Sequence, residues 1–281
     1  MGAFPLVVYW DADARKDLLV GQADGRIKLF LNVNTDADPT FDGGTFLQVG
    51  PAGSKTDIDV GYRVTLAVVD WNNDGMKDVV AGATDSKIRV YLNEGTDTEP
   101  DFGSEELAQA YGTNLIVPGT RSSPKVVDLD GDGKKDLLTG NYYGELLFYS
   151  NTGTDAAPSF SDYSYVESDG VAIDLPDAPR SRPWVCDWTD DGVPDVLIGI
   201  GDGKVYLYQG VRMPGDLDGD GNVDLDDYVL FADCLAGPDE MTPPGGCDEE
   251  QFANADIEGE DGDVDLADFV VFQEVFAGPP S

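Results

Sequence analysis

Asp128-Leu129-Asp130-Gly131-Asp132-Gly133-Lys134-Lys135-Asp136 is the stretch whose reading decides this chain. Carboxylates at positions 1, 3, 5 and 9, with glycine at 6, are the donors a hard cation such as calcium takes from one tight loop. The phrase returns as Asp70-Trp71-Asn72-Asn73-Asp74-Gly75-Met76-Lys77-Asp78, and again as Asp187-Trp188-Thr189-Asp190-Asp191-Gly192-Val193-Pro194-Asp195. Its starts lie 58 and 59 residues apart. The candidate ligands are therefore Asp70, Asn72, Asp74 and Asp78; Asp128, Asp130, Asp132 and Asp136; Asp187, Thr189, Asp191 and Asp195. Position 7 adds Met76, Lys134 and Val193 as carbonyl donors. A shorter relative, Asp11-Ala12-Asp13-Ala14-Arg15-Lys16-Asp17, starts 59 residues before Asp70. It lacks the Asp-Gly pair and reads as two residues short. We expect it to hold no metal, with Arg15 or Lys16 neutralising Asp11, Asp13 and Asp17.

The repeat extends outward from the acidic phrase. An apolar run precedes it, as in Leu66-Ala67-Val68-Val69 and Trp184-Val185-Cys186. Another follows and ends in glycine: Leu18 to Gly21, Val79 to Gly82, Leu137 to Gly140, Val196 to Gly199. After a polar turn comes an alternating strand: Ile27 to Leu31, Ile88 to Leu92, Glu145 to Tyr149, Val205 to Tyr208. Three copies then carry a Thr-Asp-x-x-Pro-x-Phe connector, from Thr35, Thr96 and Thr154, before a weaker strand. Short strands punctuated by Gly, Asn, Asp and Pro predict β structure. Four strands per repeat at a fixed period predict propeller blades. Copy four lacks the connector and the outer strand. We expect four blades in one chain, over about residues 1–60, 61–118, 119–178 and 179–210, with a homodimer as the route to closure if one chain does not suffice.

This combination resembles the FG-GAP/VCBS repeats of integrin-type and many bacterial extracellular β-propellers. The resemblance covers residues 1–210. It implies that the acidic loop joins the first and second strands of a blade and binds calcium, at three sites in this propeller.

Residues 211–281 hold a second tandem repeat. Asp216, Asp218, Asp220, Asn222, Asp224 and Asp227 form one acidic set, and Asp256, Glu258, Asp261, Asp263, Asp265 and Asp268 the other. One extra residue in the second copy sets Glu260 against Asp261 for position 5. Position 12 is a carboxylate here, whereas the blades have Ala81, Thr139 and Ile198. Past position 9 the spacing turns helical, with Leu225, Tyr228, Val229, Ala232 and Leu235 on one stripe. Gly-Pro then ends each helix. These are loop-plus-helix units of EF-hand type, and the pair resembles a dockerin domain. That resemblance implies one or two further calcium ions and a cohesin-like partner. The Ser-Thr pair often used for cohesin contact is replaced by Leu225-Asp226 and Leu266-Ala267. The fold class expected is thus mainly β: a calcium-binding four-bladed propeller with a small helical dockerin-like C-terminal domain.

Composition narrows the function. The net charge is −38. Residues 211–281 contribute 20 of the 55 acids and one of the 17 bases, which supports a boundary near 211. Without a basic stripe, nucleic acid is excluded as a partner. With no histidine, Ser-His-Asp triads and His-ligated zinc are excluded. No apolar run is long enough for membrane insertion. Cys186 reads as a buried thiol, while Cys234 and Cys247 could pair in an oxidising, extracellular compartment. Met1-Gly2 ahead of a strand-like run reads as an expression start on a processed or truncated protein, and the localisation expected is extracellular, secreted or cell-surface.

Nearly every carboxylate pair that could serve glycoside hydrolysis is already taken by a metal loop. Asp162, Glu167, Asp174 and Asp177 lie outside the loops and read as solvated surface. We therefore expect a non-catalytic interaction propeller rather than a polysaccharide-degrading enzyme. A carbohydrate-binding lectin is the alternative, with Tyr142 and Tyr143 as stacking platforms. Trp71 and Trp188 are expected between blades, and Trp10 and Trp184 in strand core.

Overall fold

The computed structural model describes all residues except 1, 12, 169–170, 176–179, 191, 211–213, 219–222, 259–260 and 277–281. Two compact units result. Residues 1–127, 134–186 and 196–208 form one, and residues 128–133, 187–195 and 209–281 the other.

In the first unit each repeat folds as one antiparallel sheet in sequence order. The first blade runs Ala3–Val8, Asp17–Gln22, Ile27–Phe30, Thr45–Phe46. The second runs Thr65–Val69, Asp78–Gly82, Ile88–Tyr91, Glu106–Leu107. The third runs Ser123–Val127, Asp136–Gly140, Leu146–Tyr149, Ser164–Tyr165. The fourth has three strands among the described residues, Arg182–Cys186, Asp195–Gly199 and Val205–Tyr208. The sequence does not reveal that the outer region of the first three blades adds a small hairpin each, such as Gln48–Val49 paired with Thr56–Asp57.

The second strands of blades two and three are buried throughout, as strands packed on both faces must be. Apolar side chains of neighbouring blades interlock: Leu19 and Ile27 with Val79 and Phe102, then Val80 and Ile88 with Leu137 and Phe160. The four innermost strands line one cavity of about 240 Å³, bounded by Leu6, Ala67, Lys125 and Trp184 among others. Arg182 of blade four stacks on Phe4 of blade one, with the guanidinium carbon 4.9 Å from the ring centre.

The glycine that ends each second strand has a steric cause. A Cβ on Gly82 would lie 2.5 Å from the Ser122 carbonyl oxygen, and one on Gly140 2.2 Å from that of Ser181. The incoming inner strand of the next blade crosses there. Among the described residues, a Cβ on Gly199 in the last blade meets nothing nearer than 4.0 Å.

In the second unit, the tail forms α1 (Leu225–Cys234), α2 (Glu249–Ala255) and α3 (Leu266–Val275). Asp224, Asp248 and Asp265 cap them, each in a capping box. Phe231, Phe252, Val264 and Phe272 build the core. Cys234 and Cys247 are disulfide-bonded.

The tail helix is as expected in place, while the expectations for Trp184, Trp188 and Cys186 are corrected. The helix expected past position 9 forms as α1, with the stripe of Leu225, Tyr228, Val229, Ala232 and Leu235 exposed and Phe231 and Cys234 turned inward. The disulfide and the Phe231–Phe272 pair, 5.0 Å between centres, set that rotation. Trp184 and Trp188 are 46% and 61% exposed rather than core and interface. Cys186 is a free thiol, half-buried rather than buried.

Candidate metal centres

Each acidic loop joins the first and second strands of its blade, and strand pairing fixes its frame. Val69 faces Asp78, and Val127 faces Asp136. The position-9 aspartate is buried in every blade, and in blades one, two and four it accepts backbone N–H donors with both oxygens. Asp78 Oδ2 takes the Trp71 N–H at 2.8 Å, and Oδ1 takes that of Asn93 at 2.7 Å. Asp17 does the same with Trp10 and Asn32, and Asp195 with Trp188 and Gly210. Asp136 Oδ1 accepts from Asn151 N–H at 2.7 Å. This residue is a clasp, closing its loop onto the residue fifteen positions later.

The clasp continues through Asn32, Asn93 and Asn151, whose side-chain oxygens accept N–H groups two and eight residues onward. The position-8 N–H of Lys16, Lys77 and Lys135 donates to Asp36, Asp97 and Asp155, the aspartates of the Thr-Asp connectors. Blade four has Pro194 at that position, which has no N–H, and has no such connector.

This geometry corrects the frame of the first loop. Val8 faces Asp17, and Trp10 N–H donates to Asp17 at 3.0 Å as Trp71 does to Asp78. Trp10 therefore occupies position 2. The loop has full length, with Tyr9 at position 1 and Asp11, Asp13 and Asp17 at positions 3, 5 and 9. Ala14 takes the left-handed position-6 backbone, φ 59°, that glycine holds in the other loops. Asp11, Asp13 and Asp17 still converge, and Arg15 forms an ion pair with Asp13.

Asp128, Asp130, Asp132 and Asp136 offer four oxygens that all lie within 4.8 Å of one another. Asp128 is held by the N–H groups of Gly131 and Gly133, both at 2.9 Å. Burial pushes its carboxyl up, these donors pull it down, and Asp130 and Asp132 raise it again by repulsion. A divalent cation would reverse the burial and repulsion penalties together.

The blade-two loop is laid out alike but held differently. Asp70 accepts from Asp74 and Gly75 N–H groups, and Asn72 Nδ2 donates to Asp74 at 2.9 Å. Lys135 Nζ of the next blade donates to the Asp70 carbonyl and to Asn73 Oδ1, each at 2.5 Å. Burial pushes Asp78 up to about 6, its two N–H donors oppose this, and Asp74 and Asp70 add repulsion. In blade four Gly192 N–H donates to Asp187 at 2.9 Å; Asp191 lies outside the described residues.

In the tail, Asp216, Asp218 and Asp227 converge, as do Asp263, Asp265 and Asp268. Asp220 and Asn222 lie outside the described residues. The position-12 carboxylates act as clasps here too. Asp227 accepts from Leu217, Asp218 and Asp224 N–H groups, and Asp268 from Ile257, Glu258 and Asp265. Asp256 Oδ2 accepts from Gly262 N–H at 2.8 Å, while its Oδ1 is buried with no hydrogen-bond partner. Burial raises the Asp256 carboxyl, the Gly262 N–H opposes this, and Asp268 and Asp261 raise it further by repulsion.

Residues 70–139 match the model of the FG-GAP-like repeat. Over 132 residues the chain is 27% identical to integrin alpha-7 of Mus musculus, covering 41% of this chain and 11% of that protein. With integrin alpha-7 of Rattus norvegicus it shares 26% over the same length, covering 12% of that protein. The chain thus spans about a tenth of the length of these relatives. Among solved structures, a chain of the Photorhabdus luminescens Tc holotoxin pore superposes with TM-score 0.42 and 14% identity, over 72% of this chain and 9% of that one. Residues 70–139 therefore carry the sequence of an FG-GAP-like repeat, within a chain whose four sheets are the blades of a four-bladed propeller.

Proposed function

We propose that this chain is an extracellular, calcium-stabilised propeller that serves protein interaction and is tethered through a dockerin-like tail. The observation that carries the calcium reading is the convergence of Asp128, Asp130, Asp132 and Asp136 on a loop with left-handed Gly131 and Gly133. The donor set is all oxygen, which suits calcium and not a thiolate- or imidazole-seeking metal. Asp70, Asn72 and Asp74 with the Met76 carbonyl would hold a second ion, and Asp187, Thr189 and Asp191 with the Val193 carbonyl a third. In the tail, the two converging acidic sets would hold one or two more. Position 1 of the first loop is Tyr9, and Arg15 already neutralises Asp13, so that loop binds none.

The likeness to integrin alpha-7 supports an interaction module over an enzyme. The tail supports docking. Leu225 and Val229 on α1 recur as Leu266 and Val270 on α3, and all four are more than half exposed. Two equivalent apolar faces at loop-helix junctions suit a cohesin-like protein partner. The Cys234–Cys247 bond fits an oxidising compartment. Among the described residues no helix is long and apolar enough to cross a membrane.

Calcium titration of the full chain by differential scanning calorimetry tests the metal reading. At about tenfold excess over the dissociation constant each site adds roughly 1.4 kcal/mol. A melting temperature indifferent to calcium and EDTA would sink it. Surface capture of cohesin modules by the full chain, in calcium and in EDTA, tests docking; no capture in calcium rejects the tether. Carbohydrate binding is the second reading. Tyr143 is 56% exposed, but the Tyr142 ring is stacked by Arg121 at 4.8 Å. A glycan array on the full chain decides whether that surface takes sugar.

A further inference from the structure

Arg63, Arg121 and Arg180 occupy equivalent places in blades two, three and four, two residues before each inner strand. All three have left-handed backbone, φ 60°, 63° and 88°, which non-glycine residues rarely adopt. Arg182 joins them, and the four line one small recess beside the innermost strands. They are half-buried.

Their partners are aromatic rather than acidic. Arg121 and Arg180 both stack on Tyr142, at 4.8 and 5.9 Å, and Arg182 on Phe4. Among the described residues none of the four side chains has an ion pair or a hydrogen bond, in a chain with 55 acids. Acids on the neighbouring turns are taken by other bases: Asp24 by Arg26, Asp85 by Arg89, Asp202 by Lys204. Arg121 Nη1 and Arg180 Nε are buried without an acceptor. Burial lowers Arg121 and Arg182 from the ordinary arginine range, and the neighbouring guanidiniums lower them further.

Stacking alone does not require four like charges to gather in one recess. Buried donors of this kind call for an acceptor. Guanidinium forks suit the paired oxygens of a tetrahedral anion. The enclosed space is about 20 Å³, room for about one water-sized group, so an oxyanion would place one oxygen in the recess and the rest at its mouth.

We propose that Arg63, Arg121, Arg180 and Arg182 form an anion site for one doubly charged tetrahedral oxyanion of the sulfate or phosphate class. This site is separate from the calcium loops. The anion screens the mutual repulsion of the guanidiniums and joins three blades through one ligand.

Isothermal titration calorimetry of the full chain with sodium sulfate, against sodium chloride at matched ionic strength, reads the site. The expected result is saturable one-to-one binding that weakens about tenfold or more in Arg121→Gln and likewise in Arg63→Gln. Dextran sulfate distinguishes the source. Its binding without that of inorganic sulfate, lost in Arg121→Gln, assigns the anion to an ester group. No saturable binding of inorganic sulfate, inorganic phosphate or dextran sulfate overturns the proposal, as does unchanged affinity in both variants. Melting in chloride gives a second readout. With repulsion relieved, Arg121→Gln is at least as stable as the parent; a lower melting temperature marks the arginines as structural and also overturns the site.

Discussion

At the scale of single residues, acids within one loop divide into candidate ligands and clasps. Among the described residues Asp128 is held by N–H groups of its own loop, whereas Asp136 reaches Asn151 fifteen residues on. Asp128→Asn is therefore expected to blunt the calcium-induced rise in melting temperature and leave the metal-free protein nearly unchanged. Asp136→Ala is expected to lower stability by about 1–3 kcal/mol even without calcium, because it strands the buried Asn151 N–H. Equal behaviour of the two variants in EDTA melts would refute the division. The glycines make a second pair. Gly82→Ala drives a methyl into the Ser122 carbonyl and should cost about 1–3 kcal/mol, while Gly199→Ala, with open space, stays within about 0.5 kcal/mol. Urea denaturation of both variants checks this.

At the scale of elements, the strands and the loop order were legible because alternation and the repeated acidic phrase report backbone period and loop position directly. The frame of the first loop was not. Counting from the first acid places Asp11 at position 1, whereas pairing of Val8 with Asp17 gives that place to Tyr9. Nor was the clasp legible, since Asn32, Asn93 and Asn151 look like ordinary turn residues until their bonds are seen. The helix of α1 was legible from its spacing, but which face it buries was not. Leu225 and Val229 keep period with Tyr228, but the disulfide at Cys234 and the phenylalanine core choose the adjoining face. The tail depends on that bond, which spans 13 residues between α1 and the start of α2. Reduction should remove about 3 kcal/mol from the tail. Calorimetry with and without reductant should show the loss, and an unaltered thermogram would contradict it.

At the scale of the whole molecule, the central cavity holds a charge that the fold keeps at a cost. Lys125 Nζ sits 4.5 Å above the centre of the Trp184 ring and donates to the Leu66 carbonyl at 3.3 Å. Burial lowers its pKa to about 8 from an ordinary 10.5. Between those values the unfolded chain keeps a proton that the folded chain has released, so stability rises with pH across that window. Below about pH 8 both states are protonated and the penalty is complete, about 3 kcal/mol. Lys125→Met should therefore be more stable than the parent at pH 7, with the gap closing towards pH 10. Melts of both proteins at the two pH values decide it, and a gap that does not narrow would reject the burial account.

The fifteen-residue clasp also bears on how such a chain can change its length. Both halves of the lock, and the lysine and aspartate beside it, lie inside a single 59-residue copy. A duplication in the gene would deliver a new blade with its fastening already included. What a new blade must fit is the glycine seam, where Gly82 and Gly140 each leave room for the strand that follows. The last copy departs from that pattern at two residues, with no described residue closer than 4.0 Å to a Cβ on Gly199 and a proline in place of the lysine.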